Sequence, residues 1–331
     1  MDLIQKYKDI VRGRGLRVVY PEGNDERLIR AAAECVRENL ARPTLLGKPD
    51  EIAQKAREAG VALNGVQVLD PGASDKVTGY AELYVKGRDD MSVKVAARLV
   101  RKPFAFGAMM LKAGDADLFV GGATVPTAIV IQAASLCAGF EPGISTPSSF
   151  FLMDCPQAGP GGAKQMLYAD CAINISPNAR ELAEIAVCTA RTAKSLLGRE
   201  PKTALLSFST HGSASHADAE KVIEATKLAR EMAPGFVFDG ELQLDSAISP
   251  KVAAKKCPDS PIAGQADVFI FPDLDAGNIA YKLTQYFGGA KAIGPILQGF
   301  AKPASDLSRG ASVEDVVSAT AILGVMAGKG T

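Results

Sequence analysis

Ala113-Gly114-Asp115-Ala116-Asp117-Leu118-Phe119-Val120, followed at once by Gly121-Gly122-Ala123-Thr124, decides the fold. It reads as a helix end, a turn, a short buried strand and a glycine-rich turn leading to the next helix. The phrase returns in the second half as Ala263-Gly264-Gln265-Ala266-Asp267-Val268-Phe269-Ile270. One such echo hints at related halves without establishing a repeat. Outward from these two points, short apolar runs alternate with helical patterns from beginning to end. That alternation predicts an α/β protein with a largely parallel sheet.

Strands are expected at Arg17–Tyr20, Thr44–Leu46, Val66–Leu69, Leu118–Val120, Phe150–Met153, Leu167–Ala169, Ala204–Ser207, Phe236–Phe238, Val268–Phe271 and Ala292–Ile293. Helices run between them, among them Glu26–Glu38, Pro49–Glu58, Val93–Leu99, Thr127–Cys137, Ala179–Leu197, Ala217–Met232 and Ala276–Tyr286. Several strands run into turns that mix Gly with Ser, Thr or Asp, at Val120–Thr124, Ser207–Ser213 and Phe271–Asn278. Ligands in open parallel sheets sit beyond the carboxyl ends of strands, so the free amides of these loops are expected to welcome an anion. Gly159-Pro160-Gly161-Gly162 reads as a flexible turn between strands.

At 331 residues the chain exceeds what one core usually holds, and two domains are expected. Thirty-seven basic residues balance thirty-seven acidic ones, so charge points to neither nucleic acid nor an anionic membrane as partner. Leu3, Ile4, Tyr7, Ile10 and Val11 recur at helical spacing between charges, which predicts an amphipathic helix and not a signal peptide. The chain is expected to be cytoplasmic. Its six cysteines form no C-x-x-C pair and suit buried roles in a reducing compartment. His211 and His216 share a loop without a clustered carboxylate or thiol, a poor zinc signature. There is no G-x-x-x-x-G-K-[ST], G-x-S-x-G or G-x-G-x-x-G pattern, which disfavours a nucleoside triphosphatase, a Ser-His-Asp hydrolase and a Rossmann dehydrogenase.

The chemistry concentrates in Asp306-Leu307-Ser308-Arg309-Gly310-Ala311-Ser312-Val313-Glu314-Asp315. Arg309 is always protonated and can fork onto a phosphate or polarise a carbonyl oxygen. Asp315 can take a proton from an incoming nucleophile, and Ser308 adds a hydroxyl. The same residues also fit a capping box, Ser312 to Asp315, opening a helix with Val316, Ala319 and Leu323 as its buried stripe.

The wider sequence resembles the phosphate acetyltransferase (phosphotransacetylase) family over most of its length. The phrases are Tyr20-Pro21-Glu22-Gly23 with Asp25-Glu26-Arg27, Gly121-Gly122-Ala123, Tyr168 to Asn174 and Leu206 to Thr210. They continue with Asp239 to Gln243, Ala276 to Lys282, Gly294 to Gly299 and Asp306 to Gly310. The resemblance implies two α/β/α domains with largely parallel sheets around a cleft, as in isocitrate and isopropylmalate dehydrogenases. Residues 1–145 and 297–331, with the C-terminal helix, would form the first domain; residues 146–296 would form the inserted second one. The active site would lie in the cleft, and the molecule would be a homodimer.

The implied reaction, part of acetate metabolism, is reversible acetyl transfer between acetyl phosphate and coenzyme A. Asp315 would be the base, with Arg309 and Ser308 stabilising the transition state. Cys171, Thr127, Arg88, Gln132, Asn278 and Gln298 would bind substrate. No metal and no tightly bound cofactor is implied, coenzyme A being a substrate; acetyl phosphate and phosphate are the other partners. Cys171 lacks a histidine partner and is expected to form a wall of the site, not a covalent acetyl carrier. The chain departs from the family pattern at Gln132, where arginine is common, and at Lys86-Gly87-Arg88-Asp89-Asp90, a modified basic segment. Losing that arginine removes a charge and a bidentate fork. The alternatives are a propanoyl or butyryl transferase and a non-catalytic acetyl-CoA-sensing module. A metal-dependent decarboxylating dehydrogenase of similar architecture ranks last, for want of a carboxylate cluster.

Overall fold

The computed structural model describes residues 2–89, 91–155 and 165–328. The turn expected at residues 159–162 and the last residue of the 86–90 segment lie outside them. The chain divides into two compact units, Met1–Pro142 with Phe300–Thr331, and Gly143–Gly299.

The first unit opens with α1 (Leu3–Val11), β1 (Arg17–Tyr20), α2 (Glu26–Arg37), β2 (Arg42–Leu46), α3 (Pro49–Glu58) and β3 (Gln67–Leu69). Three helices follow, α4 (Lys76–Val85), α5 (Val93–Val100) and α6 (Pro103–Ala113), before β4 (Leu118–Gly121) and α7 (Thr127–Ala133). The expected helix to Cys137 is there, but its last turn, Ala134–Ala138, widens to a π-helix.

The second unit holds β5 (Ser148–Asp154), β6 (Gln165–Ala169), α8 (Ala179–Leu197), β7 (Lys202–Leu206), α9 (Ala217–Met232) and β8 (Val237–Leu242). It ends with α10 (Leu244–Ile248), α11 (Pro250–Lys256), β9 (Val268–Ile270), α12 (Leu274–Tyr286) and β10 (Lys291–Gln298). The chain then returns to the first unit as β11 (Ala304–Asp306) and α13 (Val313–Ala327).

The first sheet runs β11-β4-β1-β2-β3 and is parallel throughout. The chain leaves β1 toward β2 and β3 and later returns to β1's other side as β4. The crevice between the loops after β1 and β4 is therefore the point where ligands are expected. The second sheet runs β10-β5-β6-β9-β7-β8; β5 pairs antiparallel with both β10 and β6, and the other pairs are parallel. Strand β11 was absent from the sequence reading. Ala-Ser-Asp is short and has no β-branched residue, and it is held by pairing Ala304 with Phe119 and Asp306 with Gly121.

The echoed phrases do one job in both units. The Asp117 carboxylate accepts from the Arg17 amide at 2.9 Å, and Asp267 accepts from the Lys202 amide at 2.8 Å. Each aspartate thus caps the start of the strand beside its own. Helix α13 is buried from Val316 to Val325 and packs on α1 and α2, with Thr320 Oγ1 2.9 Å from the Tyr20 hydroxyl. No helix among the described residues is long and apolar enough to cross a membrane.

Candidate active site

Strand β11 ends at Asp306, and the chain turns at Ser308 to enter α13. The Ala311 amide donates to the Ser308 carbonyl at 2.9 Å and the Gly310 amide to Ser308 Oγ at 3.3 Å. Arg27, in the first turn of α2, clamps this turn. Its Nη1 donates to the carbonyls of Arg309 (2.8 Å) and Ala311 (3.1 Å), and its Nη2 to the carbonyl of Ala123 (3.0 Å). The same guanidinium forks onto Asp25 at 2.9 and 2.7 Å. Burial alone would raise the Asp25 carboxyl, but the Arg27 and backbone donors hold it below the usual carboxylate range. The Arg309 side chain itself is exposed and makes no ion pair or hydrogen bond among the described residues. A free guanidinium next to an exposed hydroxyl is a ready counterpart for an anion.

Asp315 stands in the expected capping box. Its Oδ2 accepts from the Ser312 amide and from Ser312 Oγ, both at 2.8 Å, and its own amide donates to Ser312 Oγ at 3.2 Å. Oδ1 carries no hydrogen bond among the described residues, and the residue is exposed. The cap occupies one oxygen and leaves the other able to take a proton.

The glycine turn after β4 departs from the expectation of free amides. Glu22 Oε2 accepts from Gly122 N (2.7 Å) and Ala123 N (3.0 Å), and Oε1 from Thr124 N (2.6 Å) and Thr124 Oγ1 (2.5 Å). An anion does sit in this nest of amides, and it belongs to the chain. The other two loops are also self-satisfied in part, Gly212 N donating to Glu241 and Ala276 N to Asp273, each at 2.8 Å. Beside the Glu22 nest lies a cavity of about 480 Å³, lined among others by Glu22, Asn24, Leu46, Phe104 and Thr124.

Below the same turn, Asp306 is only 4% exposed. Its Oδ2 accepts from Thr127 Oγ1 at 2.5 Å, while Oδ1 is buried without a partner among the described residues. Burial pushes this carboxyl up to about 6; the Thr127 hydroxyl opposes the shift and the charge of Glu22 adds to it. Gly122 has a φ of +105°, and a side chain there would collide with Asp306 Oδ1, so glycine is required twice over.

Of the remaining expected residues in this unit, Arg88 is committed to the backbone. Its Nη1 donates to the Tyr84 carbonyl (2.8 Å) and its Nη2 to that of Leu136 (2.6 Å), with the Tyr84 ring 4.0 Å away. It staples α4 to the π-helical turn. Gln132 is exposed on α7.

In the second unit, Cys171 is fully buried at the end of β6. Burial, with the charge of Asp170, raises its thiol well above the ordinary value. A thiol so protonated and enclosed is a poor nucleophile. Asn278, on α12, donates to the Cys171 carbonyl at 3.1 Å. The close approach needs Gly277, whose Cβ would strike the Asp170 carbonyl. Gln298 is buried, with Nε2 donating to Ser148 Oγ (3.1 Å) and Thr189 Oγ1 (2.7 Å). The two histidines serve separate ends: His211 Nε2 lies 3.3 Å from Asp239 Oδ1, and His216 caps α9. Among the described residues no group of three His, Cys, Asp or Glu could hold a metal ion.

A profile of the phosphate acetyl/butaryl transferase family matches residues 2–323. The chain belongs to that family. It is 44% identical to the phosphate acetyltransferase of Thermoanaerobacterium thermosaccharolyticum over 99% of this chain and 100% of that one. With the phosphate acetyltransferase of Clostridium acetobutylicum it shares 42% identity over the whole of both. A phosphotransacetylase from Streptococcus pyogenes superposes with a TM-score of 0.92 at 42% identity, each chain covered to 98%. As a member of the phosphate acetyl/butaryl transferase family, the chain is an enzyme of acyl transfer.

Within that class, the free Arg309 and Ser308 offer anion recognition, and Asp315 Oδ1 offers a base. Sequence reasoning missed the supporting parts of this candidate site. Glu22, Arg27 and Asp306 all lie in the phrases that carried the resemblance, but nothing in a sequence separates a buried carboxyl from an exposed one. The nearest signal was Gly122, which marks close backbone approach without naming what approaches.

Proposed function

We propose that the enzyme transfers an acetyl group reversibly between acetyl phosphate and coenzyme A. The observation that carries this reading is the exposed, unpaired Arg309 beside Ser308, on a turn clamped by Arg27, with Asp315 Oδ1 open at the start of α13. The coenzyme's thiol is mostly protonated at neutral pH, and its thiolate is the real nucleophile. Asp315 accepts the thiol proton as sulfur bonds to the carbonyl carbon. Arg309 and Ser308 stabilise the negative charge gathering on the carbonyl oxygen. The carbon–oxygen bond to phosphate then breaks, and phosphate leaves with its electron pair. Thr127 and Gln132 on α7 complete the substrate contacts on this unit, and Arg88, bonded to the carbonyls of Tyr84 and Leu136, fixes the turn that follows α7.

In this reading the enzyme works as a homodimer in the cytoplasm. Ile279, Leu283 and Tyr286 recur at helical spacing on α12 and, with Phe287, stand exposed, an apolar patch that favours a partner. Six cysteines in the thiol form, five of them buried, favour a reducing compartment.

The test is thioester formation from coenzyme A with acetyl, propanoyl and butanoyl phosphate, in wild type and Asp315→Asn. Turnover should be fastest with acetyl phosphate and fall about 10²–10⁴-fold in the variant, with coenzyme binding retained. Faster turnover of a longer acyl phosphate would reassign the substrate. Acetyl-CoA binding without any turnover would make the chain a sensing module.

A further inference from the structure

We propose that Asp306 is a positioning residue that sets the direction of the Thr127 hydroxyl, its protonated form turning Thr127 into a hydrogen-bond donor toward a phosphoryl oxygen. The inference rests on the reading above, in which Thr127 touches the acyl phosphate.

The argument starts from the orphaned oxygen. Among the described residues Asp306 Oδ1 is buried without a hydrogen-bond partner, whereas Oδ2 meets Thr127 Oγ1. A proton on Oδ1 would find nothing to bond to, so the carboxyl carries its proton on Oδ2, facing Thr127. Thr127 Oγ1 must then accept that hydrogen bond. Its own O–H is released from Asp306, and Thr127 is partly exposed, so the hydrogen can point outward. When Asp306 is ionised the relation reverses. The threonine hydrogen is held inward by the carboxylate, and only lone pairs face an incoming anion. A fully ionised phosphoryl group, which offers acceptors alone, meets a donor in the first state and a repulsive oxygen in the second.

The surroundings leave this carboxyl well isolated. From the loop after β1 it faces Glu22, whose charge favours the protonated form; Asp25 and Arg27 of the same stretch are bonded to each other. Strand β4 carries no titratable group, and the helical run from Thr127 to Ala138 carries only the buried Cys137. Helix α13 is uncharged from Val316 to Val325, with Glu314 and Asp315 in its first turn; Arg309 lies on the intervening turn. The burial that lifts the carboxyl to about 6 brings the change within working pH.

Calorimetric titration with sulfate tests this, because sulfate stays a dianion from pH 5 to pH 8 and its own ionisation cannot imitate the effect. Wild type should bind sulfate about tenfold more tightly at pH 5 than at pH 8, the worth of one hydrogen bond to a charged group. Asp306→Asn, whose amide donates permanently to Thr127, should bind at the tight level at both pH values. Thr127→Val should bind at the weak level at both, and Thr127→Ser should restore the wild-type slope and show that the position tolerates substitution. Wild-type binding that ignores pH would overturn the inference. So would a Thr127→Val enzyme that keeps the slope, since charge alone would then explain it, or an Asp306→Asn enzyme fixed at the weak level. Thioester formation by wild type is measured alongside. Turnover with a flat sulfate profile rejects only the Asp306 inference, and a sloped profile without turnover rejects only the transferase reading.

Discussion

The carboxyl ends of the two sheets carry buried carboxylates that are treated in opposite ways. In the second unit each is well supplied with donors. Asp170 accepts from Ser149, from the amides of Ala172 (3.0 Å) and Asn174 (2.9 Å), and from Asn174 Nδ2 (2.6 Å). Asp239 accepts from Arg230 and Ser260 and faces His211, and Glu241 accepts from Ser209 and Gly212. In the first unit, among the described residues, Asp306 has one donor and an orphaned oxygen, and Arg309 stands without a partner. A fully bonded carboxylate fixes a loop, whereas an under-bonded one keeps an exchangeable proton. The second rim thus behaves as framework, and the first holds the groups still able to react.

Breaking the reactive side should cost most. Arg309→Ala should lower kcat for thioester formation about 10²–10³-fold, the usual loss for one oxyanion donor. A near-normal rate would remove the distinction between the rims. On the framework side, Asp170→Ala strands several buried donors at once and should cost about 3 kcal/mol of unfolding free energy, measured by denaturant titration. If that variant unfolds at the wild-type midpoint, its hydrogen bonds are not structural.

Asp306→Asn should move stability the other way. The folded carboxyl binds its proton more tightly than its ordinary value of 3.8 would allow, at about 6, so stability falls as pH rises between those values. Above that window the ionised, buried group costs on the order of 3 kcal/mol. Asparagine escapes this cost. The variant should melt several degrees above wild type at pH 8, with the gap closing near pH 4, and a pH-independent gap would contradict the protonation account. Least of all should change in Cys171→Ala, whose expected activity stays close to wild type; total loss from a folded variant would revive an acetyl-thioester route.

The architecture was legible wherever apolar periodicity ran long. Helices α3, α8 and α9 start and stop as the sequence reading placed them, because each has sharp punctuation such as Pro49 at the first position of α3 or Gly198 closing α8. Strand β11 escaped because its structure comes from its neighbour β4 and not from its own side chains. The Ser312–Asp315 cap was visible in four letters, since capping is a local interaction. The Glu22 nest and the Asp306–Thr127 bond join residues 100 and 179 positions apart, and no local pattern encodes such partners. The same distance explains why no local pattern shows that Arg88 holds the carbonyl of Leu136, 48 residues on.

The return of the chain to its first unit at Phe300 bears on how the protein is made. During synthesis the second unit emerges whole while the first still lacks β11 and α13. Domains generally fold as units while the chain emerges, so the inserted half can be complete first. Ser308, Arg309 and Asp315 then leave the ribosome only after the whole of the second unit. They arrive together with the strand and helix that finish the earlier core, so this exposed turn and its scaffold are completed in one step.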